Sequence, residues 1–177
     1  KSLRLGYDKV LETVGSGSLL QQVVSCVSSL GSDIIVVAGE RTISPFNDYP
    51  ELRIVTDLYP GKGPLGGVYT GLVTSTTFHN LVVASDMPFL TQALLRYMLQ
   101  LSTDFDIVVP RAGNLVEPLH AVYTKSCLAP MERMIEQDNL SVYQLFDLVK
   151  VRYVEAEEIE RFDPKHLSFF NINTKAD

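Results

Sequence analysis

Arg53-Ile-Val-Thr-Asp-Leu-Tyr-Pro-Gly-Lys-Gly-Pro-Leu-Gly-Gly67 is the stretch that decides the fold class. Its first four residues are typical of a buried strand, and a glycine-rich turn follows them directly. The apolar residues Leu65, Val68, Tyr69 and Leu72 then recur at the spacing of one helix face. A second apolar run, Leu81-Val-Val-Ala84, comes next. A strand, a helix and a strand in this order predict two parallel strands joined by a crossover helix.

The same alternation continues on both sides of this unit. Predicted strands are Ile34–Ala38, Asp106–Pro110, Leu119–Tyr123 (half-exposed, from its alternating pattern), Val151–Val154 and an extended piece at Phe169–Ile172. Predicted helices are Leu19–Leu30 with Ser18 as its cap, one from Thr91 to Leu101, Ser126–Gln137 and Ser141–Leu148. The sequence therefore predicts an α/β fold, in which a three-layer, mostly parallel, doubly wound sheet has helices on both faces.

Length and composition favour a single globular domain. The chain has 177 residues, of which 46% are hydrophobic and 20% charged. The net charge of −6 argues against non-specific binding to nucleic acid, which needs a basic surface. The apolar runs are too short for a membrane span and no leader pattern opens the sequence, so a cytoplasmic protein is expected. Cys26 and Cys127 lie far apart, which makes a zinc site or redox motif an unfavourable interpretation.

Four polar segments are expected to converge at one edge of the sheet, because ligands of such sheets bind where the parallel strands end. These segments are Lys1–Lys9, Asp57–Gly67, Ser85–Leu90 and Asn171–Thr174. Each also has an ordinary structural explanation. Arg4 and Lys9 are either phosphate-binding cations or solvated loop residues. The glycines around Gly63 open a helix, so they either admit an anion to its free N–H groups or form a tight turn.

The carboxylates and amides leave similar alternatives open. Asp57 either accepts hydrogen bonds from a base or ribose, or forms an Asx turn. Asp86 follows an apolar strand and either binds Mg²⁺, which needs only one or two carboxylates, or forms a turn before Met87-Pro88. Asn171 and Asn173 contact a ligand or precede a helix capped by Thr174. Glu117-Pro-Leu-His120 is either a substrate contact or the bend of a hairpin.

Five motifs, taken together, resemble the molybdenum cofactor guanylyltransferases in order and spacing: Leu5-Gly-x-Asp-Lys9, Gly63-Pro-Leu-x-Gly67, Ser85-Asp-Met-Pro-Phe-Leu90, Glu117-Pro-Leu-His120 and Asn171-Ile-Asn-Thr174. The resemblance spans the whole chain. It implies a nucleotide-diphospho-sugar transferase-like fold and the transfer of GMP from GTP to molybdopterin, with Mg²⁺ as cofactor. It also implies molybdoenzymes or other cofactor-biosynthesis proteins as partners.

The resemblance assigns roles to individual residues. Lys9, Arg4 and Asp86 are implied to be catalytic, with Lys9 on the nucleotide phosphates and Asp86 as the Mg²⁺ ligand. Further residues are implied to bind substrate, with Ser2, Asp57 and Gly63 on the nucleotide side and Pro64, Leu65, Asn171 and Asn173 on the pterin side.

Two departures from the family pattern remain. The family signature begins with a strand and Leu-Ala-Gly-Gly, which this sequence joins only at Lys1, so residues 1–177 are expected to form one domain without the first strand and the last helix. Gly39, Glu40 and Arg41 stand where the family often has an asparagine toward the base. A related transferase that uses CTP or a sugar phosphate is therefore an alternative, as is a non-catalytic cofactor-binding module.

Overall fold

The computed structural model describes residues 13–14, 17–31, 33–39 and 52–171. Its strands are β1 (Thr13–Val14), β2 (Gly17–Ser18), β3 (Ile34–Ala38), β4 (Leu52–Thr56), β5 (His79–Val83), β6 (Ile107–Ala112), β7 (Leu115–Val116), β8 (His120–Thr124) and β9 (Val151–Glu155). Its α-helices are α1 (Leu19–Val27), α2 (Gly63–Thr74), α3 (Gln92–Leu101), α4 (Leu128–Glu136), α5 (Val142–Leu145) and α6 (Ala156–Glu160). Short 3₁₀ turns occupy Ser102–Asp104, Lys125–Cys127 and Leu167–Phe169.

The longer strands form two separate sheets. β3 and β4 pair in parallel, with Ile34 opposite Leu52. The second sheet has the order β5-β8-β6-β7, and β9 pairs in parallel with the other edge of β6. β7 and β8 run antiparallel to their neighbours. Because β8 separates β5 from β6, those two strands point the same way, and the crossover through α2 gives β4 and β5 a common direction. The predicted α/β class is confirmed.

Helices cover both faces of the five-stranded sheet. One apolar cluster joins α2 and α4 to one face: Leu65, Val68, Tyr69, Leu72, Ile107, Val109, Ala121, Tyr123, Cys127, Met131, Met134, Ile135, Val142, Leu145 and Phe146. The other joins α3 and α6 to the opposite face: Leu94, Met98, Val108, Val122, Val154 and Ile159. Successive residues of β6 alternate between the two clusters, as the period of a strand requires. This layering produces the predicted three-layer core.

Several boundaries differ from the sequence expectations. β8 forms where a strand was predicted, but it is buried at all five positions, so the predicted half-exposure is wrong. The cause is its place between β5 and β6, with helices over both faces. The helix expected at Ser141–Leu148 is a single turn, α5. Phe169, expected to start an extended piece, is instead the last residue of the 3₁₀ turn Leu167–Phe169. His166, just before this turn, has a left-handed conformation (φ 53°). α1 ends at Val27, before the predicted Leu30.

A cleft of about 550 Å³ lies between the two sheets. It is lined on two sides by the facing strands β3 and β5, and α1 and α2 also contribute apolar side chains. Pro64 and Gly67 line it from α2, and Ser85 lines it beyond the end of β5. Among the described residues, neither β3 nor β5 has a strand partner on the side that faces this cleft. No described helix is long and apolar enough to span a lipid bilayer.

Candidate active site at the carboxyl edge of the sheets

The carboxyl ends of β4 and β5 carry two of the predicted site residues. Asp57 follows the last residue of β4, and Asp86 lies in a turn three residues beyond β5. Since the two strands point the same way, both carboxylates belong to the same edge of the molecule. The segments 57–67 and 85–90 therefore lie at the same edge, and their convergence on one ligand stays a prediction.

Asp57 forms an Asx turn, which is one of the two roles that its sequence position allows. Its Oδ1 accepts the Tyr59 N–H (3.0 Å) and lies 2.9 Å from the Thr70 hydroxyl, which itself accepts the Leu58 N–H (3.0 Å). This network ties the end of β4 to the middle of α2. Within the described part of the chain Oδ2 has no hydrogen-bond partner, so a contact from Asp57 to a nucleotide stays compatible with the structural role.

The glycine-rich turn needs glycine for different reasons at different positions. Gly61 and Gly63 have φ of 84° and 64°, a region in which other residues are strained. At Gly66 an added Cβ would lie 3.0 Å from the Tyr59 carbonyl, so this glycine lets the turn pack against α2. Gly63 is the first residue of α2, and Pro64 stands in its first turn. The free N–H groups of that turn are an environment that favours an anion.

Two residues near Gly63 have side chains that contact other parts of the protein. Lys62 forms an ion pair with Asp138, with Nζ 2.5 Å from Oδ1. Leu65 is 0% exposed and packs in the core beneath α2, so its side chain is not at the surface. A pterin contact at Leu65, predicted from the resemblance, would have to be made by its backbone. Pro64 is accessible from the cleft.

The Asp86 turn is anchored by Met87, which is 1% exposed, while Asp86 itself is partly buried. Among the described residues no group of three or more His, Cys, Asp or Glu side chains is placed to hold a metal ion. A single carboxylate is nevertheless an adequate protein ligand for Mg²⁺, which keeps water and phosphate oxygens in its other positions. The donor set at Asp86 therefore fits a nucleotide-bound divalent cation rather than a closed protein cage.

A buried polar network connects the Asn171 segment to the Asp86 loop. Asp163, 5% exposed, accepts the N–H groups of Leu167 (3.1 Å) and Ser168 (2.8 Å). The Ser168 hydroxyl lies 2.9 Å from the Thr91 hydroxyl and accepts the Thr91 N–H (3.2 Å). The residues just before Asn171 are thereby held against the start of α3. Apart from the turn-forming Asp163-Pro164 pair, nothing in the sequence pattern indicates this network.

His120 is enclosed at the same edge. It is 0% exposed, its ring packs edge-on against Phe169 with centroids 5.0 Å apart, and neither ring nitrogen has a hydrogen-bond partner among the described residues. Burial lowers the pKa of His120 to about 4, although Asp163 opposes the shift. The imidazole is therefore neutral at physiological pH. A histidine without access to solvent is not placed to act as a general base.

Ser2, Arg4, Lys9 and Asn173 lie outside the described residues, as do Glu40 and Arg41. Their assigned roles stay predictions. The structure adds one cluster that the sequence did not reveal: Arg111, at the carboxyl end of β6, pairs with Glu155 of β9 and stacks over the Tyr153 ring, 4.1 Å from its centroid. The sequence gives little indication of this cluster, because its residues are far apart in the chain and meet only through the pairing of β6 with β9.

Comparison with known proteins gives this edge a family context. The family model described as a MobA-like NTP transferase domain matches residues 1–152. The chain belongs to this family. A protein of Pelotomaculum thermopropionicum named "Probable molybdenum cofactor guanylyltransferase" is 34% identical over 100% of this chain and 85% of its own length.

Solved structures agree with the fold. Molybdopterin-guanine dinucleotide biosynthesis protein A from Archaeoglobus fulgidus superposes with a TM-score of 0.82 at 26% identity, covering 99% of this chain and 89% of the other. Rv0371C of Mycobacterium tuberculosis, solved as a complex with manganese, superposes with a TM-score of 0.61 at 15% identity over 85% of this chain and 83% of the other, a likeness of fold alone. The family makes this chain a nucleotidyltransferase, and the resemblance seen in the five motifs is confirmed.

Proposed function

We propose that this nucleotidyltransferase is a molybdenum cofactor guanylyltransferase, which joins GMP from GTP to molybdopterin and forms molybdopterin guanine dinucleotide. A phosphate oxygen of molybdopterin attacks the α-phosphorus of GTP, the bond from that phosphorus to the α–β bridging oxygen breaks, and pyrophosphate leaves. The observation that carries the proposal is the position of Asp86 in the turn beyond the carboxyl end of β5, with Asp57 just beyond that of β4, in a chain of this family.

The chain's own residues would act by binding and orientation, because transfer between phosphates needs little covalent chemistry from the protein. Asp57 would accept a hydrogen bond from the nucleotide through its second oxygen. The first turn of α2 at Gly63 would receive a phosphate at its N–H groups. Lys9 and Arg4 would pair with the remaining phosphate charge, and Ser2 would contact the nucleotide.

Members of such families use divalent metal ions, and we propose Mg²⁺ held by Asp86. The ion would supply positive charge to the phosphate oxygens, which a carboxylate alone would repel. Pro64, the Leu65 backbone, Asn171 and Asn173 would lie on the pterin side. We also propose that the reaction takes place in the cytoplasm, where GTP is available, and that the product passes to molybdoenzymes or other cofactor-biosynthesis proteins.

Pyrophosphate release tests the reaction directly. The protein is incubated with Mg²⁺ and each of GTP, CTP, ATP and UTP, with and without molybdopterin. Pyrophosphate should appear with GTP only when molybdopterin is present, together with a product of the mass of the dinucleotide. Release with CTP instead would identify the related transferase. Absence of release with all four nucleotides, despite measurable nucleotide binding, would favour the non-catalytic module.

We further propose that residues 1–177 form a single domain completed by one more strand, which fills the cleft between β3 and β5. Three features support this: both strand edges lack a partner among the described residues, the lining is apolar, and α1 and α2 contribute to that lining as well. A strand between two parallel neighbours would have its backbone groups satisfied on both sides. The preceding part of the chain is the proposed source, and a last helix stays a prediction.

Hydrogen exchange tests the added strand. A protein extended by its natural upstream residues should show slower exchange of the amides in β3 and β5 than residues 1–177 alone, while the amides of β8, which is paired on both edges, should differ little. Equal protection in the two proteins would mean that the cleft is filled in another way.

A further inference from the structure

Glu117 lies in a turn between β7 and β8 that the structure holds firmly. Four hydrogen bonds fix this turn: the Glu117 N–H donates to the Pro110 carbonyl (3.3 Å), the His120 N–H to the Glu117 carbonyl (3.0 Å), the Tyr123 hydroxyl to the Pro118 carbonyl (2.8 Å) and the Ala84 N–H to the Leu119 carbonyl (2.8 Å). Tyr123 and His120 are both 0% exposed, so the bonds are anchored in the core. The backbone of Glu117 is therefore preorganised.

The carboxylate of Glu117, in contrast, has no hydrogen bond or ion pair with any described residue. The side chain is partly buried, and this desolvation raises the pKa of Glu117. The nearby cation Arg111 pairs with Glu155 on the opposite edge of β6. Asp57, the carboxylate at the end of β4, has its charge met by an N–H and a hydroxyl. A partly desolvated carboxylate on a fixed backbone, without a partner among the described residues, is typical of a group that receives a donor from a ligand.

The position of Glu117 indicates which part of the substrates it would meet. The hydrogen bond from Ala84 to Leu119 joins the Glu117 turn to the segment that carries Asp86, two residues after Ala84. Across the edge, Asp57 lies on the side of β4, Asp86 follows β5, and Glu117 lies toward β8 and β6. Adjacent strands are about 4.8 Å apart, so β6 is about 10 Å from β5. Glu117 is thus beyond Asp86, on the side away from Asp57.

We propose that Glu117 binds the acceptor by its pterin ring. A carboxylate repels phosphate, so it must face a part of the substrate that donates hydrogen bonds. The 2-amino-4-oxopyrimidine edge of a pterin presents a ring N–H and an exocyclic N–H side by side, which match the two oxygens of one carboxylate. Glu117 is a specificity-determining residue for this acceptor. The inference rests on the proposed function, because it takes molybdopterin as the acceptor.

Guanine presents the same pair of N–H donors as a pterin. A second carboxylate near Asp86 would also suit a metal ion. The experiment must therefore distinguish molybdopterin, GTP and a divalent metal ion as the ligand of Glu117. Glu117→Gln keeps the shape and removes the charge. Glu157→Gln, on the exposed side of α6, is the matched control. Each protein is titrated with molybdopterin by pterin fluorescence, with GTP by calorimetry and with Mn²⁺ by electron paramagnetic resonance. KM for molybdopterin and kcat are measured in parallel.

Glu117→Gln should weaken molybdopterin binding about 10- to 100-fold, the range of one or two charge-assisted hydrogen bonds, and raise KM by a similar factor. GTP and Mn²⁺ affinities should stay within twofold of wild type. The ratio of wild-type to Glu117→Gln affinity for the acceptor should fall toward one as the pH drops through the raised pKa of Glu117. A merely structural carboxylate would not give this pH dependence.

Other results would overturn the inference. Weaker GTP binding with unchanged molybdopterin binding would make Glu117 the guanine contact, and weaker Mn²⁺ binding would make it a metal ligand. Unchanged binding of all three would leave it without a ligand role. Each outcome is distinct from failure of the proposed function, which would show as a wild-type protein that releases no pyrophosphate with GTP and molybdopterin.

Discussion

The strands on the two sides of the cleft differ in how completely they are covered. β8, in the five-stranded sheet, is buried at all five positions, although its sequence includes a histidine and a threonine. β3, in the two-stranded sheet, is entirely apolar, yet four of its five positions are only partly buried. An apolar sequence thus predicts that a strand is buried in the complete fold, but the neighbouring strands and helices determine how far it is buried. The interior strand β8 belongs to a finished core, whereas β3, like β5 opposite it, borders the cleft.

The comparison extends to function. The two-stranded side ends at Asp57, whose carboxylate also holds β4 to α2 and is proposed to contact the nucleotide. The five-stranded side ends at Glu117, whose carboxylate has no partner in the described chain and is proposed to contact the acceptor. Asp86 lies between them. Variants at these positions should therefore separate nucleotide binding, metal-dependent turnover and acceptor binding.

The largest effect is expected at Asp86, because both substrates depend on the metal site. Asp86→Asn should lower kcat about 100- to 1000-fold, as the amide keeps the shape of the turn but loses the charge that holds the cation. Steady-state pyrophosphate release measures this change, and thermal melting should show the fold intact. The exposed Asp104→Asn, a matched loss of charge, should be as active as wild type. Activity above a tenth of wild type would remove Asp86 as the metal ligand.

A large pH effect is expected on the five-stranded side alone. The pKa of His120 is about 4 in the folded protein and near 6.5 when unfolded. Between these values the unfolded chain binds a proton that the folded chain does not, so the free energy of unfolding falls as the pH drops from 6.5 to 4. The contribution, present in full above pH 6.5, amounts to roughly 3 kcal/mol.

Denaturant titrations across this pH range measure the effect as the difference between wild type and His120→Phe. The difference in unfolding free energy should change with pH by the amount given, whatever the effect of the substitution on stability at neutral pH. His120→Gln should behave like His120→Phe, since neither side chain titrates. A wild-type profile parallel to both variants would mean that His120 gains a proton without unfolding.

A smaller effect is expected on the nucleotide side at Lys9. Lys9→Ala should weaken GTP binding and lower kcat/KM for GTP, each about tenfold, because an ammonium acts on the phosphates in both ground and transition states. Molybdopterin affinity should change little. Calorimetry and initial rates provide the measurements. If GTP binding stayed at the wild-type level, Lys9 would be a solvated surface charge.

Local patterns predicted most of the fold and part of the site. Ile34–Ala38 was predicted with its observed bounds, because five consecutive β-branched and small apolar residues admit few alternatives. The positions of Asp57 and Asp86 followed from the strands that precede them. The environment of β8 was not predictable, since it depends on a pairing with β5 and β6 that is set by long-range register. Glu117 and His120 belong to one sequence motif, but the sequence does not show that the Glu117 carboxylate is partly exposed while the His120 ring is fully buried.

The smallest effect on GTP binding is expected at Lys62. This residue lies between Gly61 and Gly63 in a glycine-rich turn, a position typical of a phosphate-binding lysine. The structure turns its Nζ toward Asp138, 2.5 Å away, at the far end of α4. Both side chains are substantially exposed, at 36% and 74%, and such pairs contribute about 0–1 kcal/mol. Lys62→Ala should therefore change the free energy of unfolding by less than about 1 kcal/mol. Asp138→Asn should match it, because each variant removes one charge of the same ion pair and asparagine tolerates the left-handed backbone at position 138 (φ 55°). GTP affinity, measured by calorimetry beside Lys9→Ala, should change by less than about twofold, since Lys62 contributes no direct charge to the phosphates. If Lys62→Ala weakened GTP binding as much as Lys9→Ala while Asp138→Asn did not, Lys62 would leave Asp138 and bind the phosphates, and the nucleotide side of the edge would include Lys62 as well.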